Sequence, residues 1–287
     1  MIFISKPPDP FSPYFRTRAN TKTQEHRDAY NGDSLAYHSR GKNRKKLPID
    51  DSIYKAGEAT KAALIEAIYT DGAVYSQEEK EVGKCYFCEY RLSKGGLHVE
   101  HYRPKNGSMQ SRGSQENYPG YYWLAYSWDN LILACYDCNR IKDTIFPLVD
   151  DDMRVRSYLH NDDLINEEPL LINPTGDDPR DHIYFVDDLP MPLSQNGIES
   201  RKGSETIKLL KLDYGEDSNE RAFLREKRSD LLFGLRFKRK FFEKNRESDD
   251  IETQKMVEEA RVYLEKAKRR GSKFSSMAQD FLADWEP

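Results

Sequence analysis

Two Cys-x-x-Cys pairs, Cys85-Tyr86-Phe87-Cys88 and Cys135-Tyr136-Asp137-Cys138, contain every cysteine of the chain. Between them lie His98-Val99-Glu100-His101-Tyr102-Arg103-Pro104-Lys105 and Trp128-Asp129-Asn130-Leu131, and Asn139 follows the last cysteine directly. Two such knuckles aim four thiolates at one point, the ligand set of a structural Zn²⁺ ion. The 46 residues pinned between them bring a carboxylate, imidazoles and amides. Those donors suit a second, harder ion such as Mg²⁺ or Mn²⁺. The pattern therefore predicts one structural metal, on Cys85, Cys88, Cys135 and Cys138, and one metal with a chemical task.

Leu97 to His101 reads as a short strand, on which adjacent side chains face opposite ways. A turn toward Pro104 lets both Glu100 and His101 reach one site. A neutral imidazole can take a proton from water near neutral pH, and a carboxylate beside it can hold a divalent ion. Asn139 is expected in the first turn of a helix running through Arg140-Ile141-Lys142-Asp143, where its amide oxygen is a second ligand. Asn130 is expected to bond backbone and orient the loop carrying His101. Arg103, Lys105 and Lys142 are candidates for phosphate contact, and solvated surface cations are the plainer reading. His98 is a candidate ligand or substrate contact, otherwise a packed strand residue.

The elements that must position these groups are only partly readable. Residues 51–70 look helical, with Ala56, Ala59, Ala63 and Ala67 on one close-packing face and Leu64 and Ile68 beside it. Residues 106–117 are a flexible polar loop by composition. The aromatic run Tyr118, Tyr121, Tyr122, Trp123, Tyr126 and Trp128 reads first as core packing and second as base stacking. Residues 149–190 turn acidic, with Asp150, Asp151, Asp152, Asp162, Asp163, Glu167 and Glu168. Pro169–Pro174 and His182–Val186 read as strands. From Ser204 the pattern is helical, with an apolar stripe at Leu224, Leu231, Leu235 and Phe242. A basic face of Arg221, Arg225, Arg228, Arg236 and Arg239 has similar spacing. A last helix near 252–270 has Asp249 and Glu252 spaced as a capping box and Gly271 as its stop.

The chain of 287 residues carries net charge -4, with 33% charged residues. A dedicated stand-alone DNA binder is usually basic, so nucleic-acid contact here calls for local basic patches or a partner. Residues 1–50 are polar and proline-rich, with a basic cluster at Arg40, Lys42, Arg44, Lys45 and Lys46, and read as an extended basic arm. No apolar window of about 18 residues predicts a membrane span, and no signal peptide is legible. A cytoplasmic protein with reduced thiols is expected, which favours zinc over disulfides.

The order C-x₂-C, E-H-x-x-P, W-x-N-L, C-x-x-C-N-x-x-K, from Cys85 to Lys142, resembles the HNH nucleases of the ββα-metal (His-Me finger) superfamily. That resemblance implies a zinc-stapled ββα-metal core flanked by helices, with a mainly helical C-terminal region: an α+β chain divided at 1–50, 51–150 and 151–287. It implies His101 as general base, Glu100 and Asn139 as ligands of the catalytic ion, and Asn130 as the orienting residue. Glu100 stands where Asp or His is common, and its longer arm shifts the ion. The flanks, including Pro169–Pro174, Asp178-Pro179 and His182-Ile183-Tyr184-Phe185, look like the HNH subunits of Septu-type bacterial antiphage systems. Those subunits are encoded beside an ATPase partner. The implied activity is hydrolysis of phosphodiester bonds in DNA, gated by that partner. The same site acting on structured RNA such as tRNA, and a zinc-stabilised adaptor without catalysis, are the alternatives.

Overall fold

The computed structural model describes residues 1–39, 44–55, 59–214 and 221–287, with backbone alone at 54 and 55. Arg40, Lys42 and Ala56 lie outside the described residues.

Residues 1–50 are not an extended arm. Ser12 caps helix α1 (Pro13–Gly32) by accepting from the Phe15 amide, and Pro13 occupies the first turn, where its missing N–H is not needed. Helix α2 (Ser34–His38) follows. The buried face of α1 is only Ala19, His26 and Tyr30, too thin a stripe to read in a polar sequence. Tyr30 packs on Tyr122 with ring centroids 5.4 Å apart. Ahead of α1, the Lys6 ammonium lies over the Trp128 ring at 4.6 Å and donates to the Leu131 carbonyl at 3.0 Å. The described residues of this segment, 1–39 and 44–50, are therefore a cover clamped onto the central unit.

The expected helix at 51–70 occurs as α3 (Asp51–Lys55) and α4 (Ala59–Ile68). Thr60, Ala63, Leu64, Ile65, Ala67 and Ile68 of α4 are all buried. After the short α5 (Gln77–Lys80), strands β1 (Val82–Lys84) and β2 (Arg91–Ser93) pair antiparallel, and the turn joining them is the first knuckle. Gly83 is required there: a Cβ would lie 2.4 Å from Leu97 Cδ1 and 2.9 Å from Ile65 Cγ1.

Strands β3 (Leu97–His101) and β4 (Leu131–Cys135) pair antiparallel, with Leu97 opposite Cys135 and His101 opposite Leu131. Every residue of β4 is buried. Helix α6 (Tyr136–Lys142) begins at once after β4 and packs on both strands, giving a strand–strand–helix unit. The 29-residue connection between the strands is ordered by more than its composition suggests. Ser108 bridges to Asn117, Met109 to Ile145, and Arg112 donates to the Ile141 carbonyl at 2.7 Å. Tyr121, Tyr122, Trp123, Tyr126 and Trp128 are buried in the core.

Beyond 150, Pro169–Pro174 is not a strand; it makes one bridge, Leu148 to Pro169, and buries Leu170, Leu171 and Ile172. Strand β5 (Ile183–Val186) pairs with β6 (Leu189–Pro192), and β7 (Ser194–Gln195) with β8 (Ile198–Glu199). Helices α7 (Arg201–Leu210), α8 (Ala222–Asn245), α9 (Ile251–Ala267) and α10 (Ser275–Phe281) complete the chain. The architecture is thus mixed helix and small antiparallel sheets. Asp250, one residue after the expected cap, caps α9 through the Thr253 amide.

The expected basic face of 221–239 divides. Arg221 and Arg228 are buried, and Arg228 donates to the Leu212 carbonyl at 2.6 Å while lying over Phe185. Arg236 and Arg239 stay outside, paired with Asp187 and Asp284. One apolar core runs through all three expected segments, from Phe11 and Tyr30 through Leu133 to Leu235 and Met277. Among the described residues no helix is long and apolar enough to cross a membrane.

His26 is 1% exposed, stacked on Tyr126 and bonded to the Pro48 carbonyl. Burial holds its pKa below the usual histidine value. The folded chain therefore binds this proton more weakly than the unfolded chain does. Stability should fall as pH drops below about 6.5, by at most about 1.4 kcal/mol per pH unit from this one group. Urea unfolding at pH 7.5 and 5.5 should lose less stability in His26→Phe than in wild type.

Candidate metal centre and active site

The Sγ atoms of Cys85, Cys88, Cys135 and Cys138 all lie within 4.8 Å of one another, and all four residues are buried. A tetrahedron with Zn–S of about 2.3 Å has S···S edges of about 3.8 Å. Cys88 and Cys135 are 3.8 Å apart, and none of the four forms a disulfide. The donor set and its spacing fit a metal such as zinc. Two local features build it. The first knuckle docks on β4 through the Tyr86 amide, which donates to the Leu133 carbonyl at 2.8 Å. The second is the β4–α6 junction itself, where Cys135 caps α6 and accepts from the Cys138 amide. Bonds from the other cysteines, Cys135 first, hold the Cys88 thiol well below its ordinary value, and the Arg221 charge adds to this.

Arg221 is the residue that sequence reasoning missed. It stands just before α8, and its Nη2 donates to Cys138 Sγ at 3.1 Å and to the Leu210 carbonyl at 3.0 Å. Burial disfavours its charge, but Cys138 and Cys88 outweigh that and raise its pKa. The only sequence sign was membership of a helical arginine pattern, which does not tell an inward arginine from a solvated one.

The far end of the β3–β4 hairpin carries the other candidates. Leu97 and His101 are four residue steps apart on the strand, so the two ends lie about 13 Å apart. His101 is 5% exposed, and its Nε2 lies 2.9 Å from the Ala125 carbonyl. A carbonyl only accepts, so Nε2 carries the proton and Nδ1 the lone pair. Burial, with the Lys105 charge next, pushes the His101 pKa down to about 3, so the ring is neutral at pH 7. Asn130 grips the chain just beyond His101. Its Oδ1 accepts from the Arg103 amide at 2.7 Å, and its Nδ2 donates to the Arg103 carbonyl at 3.0 Å and the Leu124 carbonyl at 3.2 Å.

Glu100 and His98 point to the α6 side of β3, opposite His101, because the strand runs regularly through His101; the structure does not bring Glu100 and His101 to the one site expected of them. The His98 ring is exposed and 6.3 Å from Tyr136. Glu100 Oε1 accepts from Lys142 Nζ at 2.8 Å, and the same ammonium donates to the His101 carbonyl at 2.8 Å. Lys142 is fully buried, so it is not the surface cation expected for phosphate contact; it ties the end of α6 to β3. Asn139 lies one turn before Lys142 on the same side of α6 and is half-buried. Its side-chain amide has no hydrogen-bond partner among the described residues, nor has Glu100 Oε2. Both are oxygen donors of the kind Mg²⁺ takes. Arg103 pairs with buried Glu167 at 3.0 Å, and Lys105 with Asp51 at 2.7 Å.

Over 143 residues the chain is 38% identical to the Septu protein PtuB of Bacillus mycoides (strain KBAB4), covering 49% of this chain and 46% of that protein. Over 136 residues it is 31% identical to the Septu protein PtuA of the same strain, covering 46% of this chain and 18% of that protein. The chain thus spans less than half the length of the curated relatives it matches. No family model matches the chain, and no solved structure matches it.

The purified chain should carry about one zinc per molecule, measured by plasma mass spectrometry. Cys135→Ser should lose that metal and leave the central unit unfolded by amide hydrogen exchange, because structural zinc supplies folding energy. Arg221→Met should keep the fold but weaken zinc binding about 10–100-fold in a chelator competition, as is usual for groups that hydrogen-bond to metal ligands.

Proposed function

We propose that this chain is a metal-dependent HNH endonuclease that works as a component of a Septu-type antiphage defence complex. The observation that carries the nuclease reading is the tautomer of His101. Its Nε2 proton is held by the Ala125 carbonyl, which presents the basic nitrogen of a neutral ring at the end of the hairpin. The likeness to PtuB and PtuA supports the defence setting.

In this reading His101 removes a proton from the attacking water at Nδ1, and Asn130 keeps the following turn in register. Glu100 Oε2 and Asn139 Oδ1 would hold a Mg²⁺ or Mn²⁺ ion. Bound there, the ion supplies positive charge for the phosphate and the leaving oxygen. Arg103 and Lys105 follow His101 in the turn and would exchange their carboxylate partners for phosphates. The substrate of first choice is DNA, and structured RNA meets the same chemistry.

The site is closed as it stands. His101 is buried, and Lys142 neutralises Glu100. A closed resting site supports control by a partner, the ATPase subunit of such a complex, which would favour an open state by binding it more tightly.

The test is cleavage of plasmid DNA and total tRNA with Mg²⁺ or Mn²⁺, with the chain alone and with its ATPase partner. His101→Ala should lower the rate at least about 10²–10⁴-fold while its melting profile shows a folded chain. Cleavage that ignores His101 or needs no divalent ion would sink the catalytic reading, and binding without cleavage would make the chain an adaptor. Free cutting by the chain alone at physiological salt would remove the case for gating.

A further inference from the structure

Helix α8 carries Glu226, Asp230, Phe233, Phe237, Lys240 and Lys244 at alternating spacings of four and three residues. That period of 3.5 keeps all six on one stripe, as in a coiled-coil seam. The stripe lies opposite Leu224, Leu231, Leu235 and Phe242, which face the core. Phe233 is 74% exposed and Phe237 61% exposed. Neither has an aromatic or cation contact among the described residues, whereas the exposed Phe223 packs edge-on against Tyr90. Lys240 and Lys244 make no ion pair among the described residues. Among the described residues Glu226 and Asp230 hold only the partly buried Lys227, at 2.7 and 3.5 Å.

The order of the stripe is acid, acid, Phe, Phe, Lys, Lys, and its charge reverses about the level of Leu235. Two copies laid antiparallel complement each other at every position. Glu226 meets the partner's Lys244, Asp230 meets the partner's Lys240, and Phe233 meets the partner's Phe237. We propose that α8 is a dimerisation seam, and that a second copy of this chain packs on it antiparallel across a two-fold axis near Leu235. An isologous contact demands such self-complementarity. The four phenylalanine rings form its apolar centre, and the charges at either end set direction and register. Gly234 lets Tyr263 of α9 approach to where a Cβ would stand, 2.8 Å from its hydroxyl, and so widens the apolar strip. A single-stranded nucleic acid could stack on two phenylalanines beside two lysines. The acidic half of the stripe repels phosphate, and this favours the second copy.

Sedimentation equilibrium of the full chain at about 100 µM, above the range of micromolar interfaces, should give twice the 33.5 kDa chain mass. Phe233→Ser and Phe237→Ser should each raise the dimer dissociation constant at least about tenfold. One variant carries Glu226→Lys with Asp230→Lys, and another Lys240→Glu with Lys244→Glu. Each should be monomeric alone, and the two should form a one-to-one dimer when mixed, with circular dichroism showing all variants folded. A monomeric wild type, a dimer indifferent to Phe233→Ser, or charge variants that fail to pair when mixed would each overturn the proposal. A monomer that loses single-stranded oligonucleotide binding on Phe233→Ser would assign the stripe to nucleic acid instead.

Discussion

Four thiols brought to one point are the constraint from which the rest of this molecule is arranged. They join two pieces far apart in the chain: the β1–β2 turn and the junction of β4 with α6. Once Cys135 and Cys138 are held, the first turn of α6 is fixed, and with it the sides on which Asn139 and Lys142 emerge. The first knuckle is secured from behind as well. Glu89, directly after Cys88, pairs with buried Lys84 at 2.7 Å, and Lys84 donates to the carbonyls of Arg270 and Ser272. Arg221 then attaches α8 to the same cluster. Charges this deep are costly without partners, and here each has at least one.

The candidate site follows from that frame but works against itself in the resting chain. Burial keeps His101 neutral, which a base requires, yet burial also withholds it from solvent. Lys142 removes the penalty of a half-buried Glu100 carboxylate and at the same time places a cation where a metal ion would draw on that carboxylate. A shift of α6 away from β3 would ease the second conflict alone, because His101 lies on the other side of the strand, against Ala125. Local conflict of this kind is usual where function overrides packing.

Much of the centre was legible because its chemistry is short-range. Cys-x-x-Cys spacing and Asn139 beside Cys138 need only a few residues of chain to define them, whereas strand alternation sends the neighbours Glu100 and His101 to opposite sides. The strands at Leu97–His101 and Ile183–Val186 also stand out by pattern. The remainder depended on distant partners. Helix α1 is polar on most of its surface, and its few buried positions count only because Tyr122 and Tyr126 lie against them. Lys142 and Arg221 look like surface cations until Glu100 and Cys138 are seen beside them. The Ala125 carbonyl that orients His101 leaves no mark in the sequence, because every residue has such a group. Pro169–Pro174 has the composition of a strand but no neighbouring strand to pair with.

The pairing of β3 with β4 bears on how this chain can change over generations. The acid faces α6 and the histidine faces Ala125 only because they are neighbours on an alternating ribbon locked in one register. Deleting a single residue from β3 ahead of Glu100 would exchange the two faces, sending the carboxylate into the aromatic core and the imidazole toward Lys142. Amino-acid replacement along the hairpin is gradual in effect, whereas a change of length there is all-or-none. Homologues should therefore vary in length within the connection between the strands and in the helices around them, while the five paired positions keep their count.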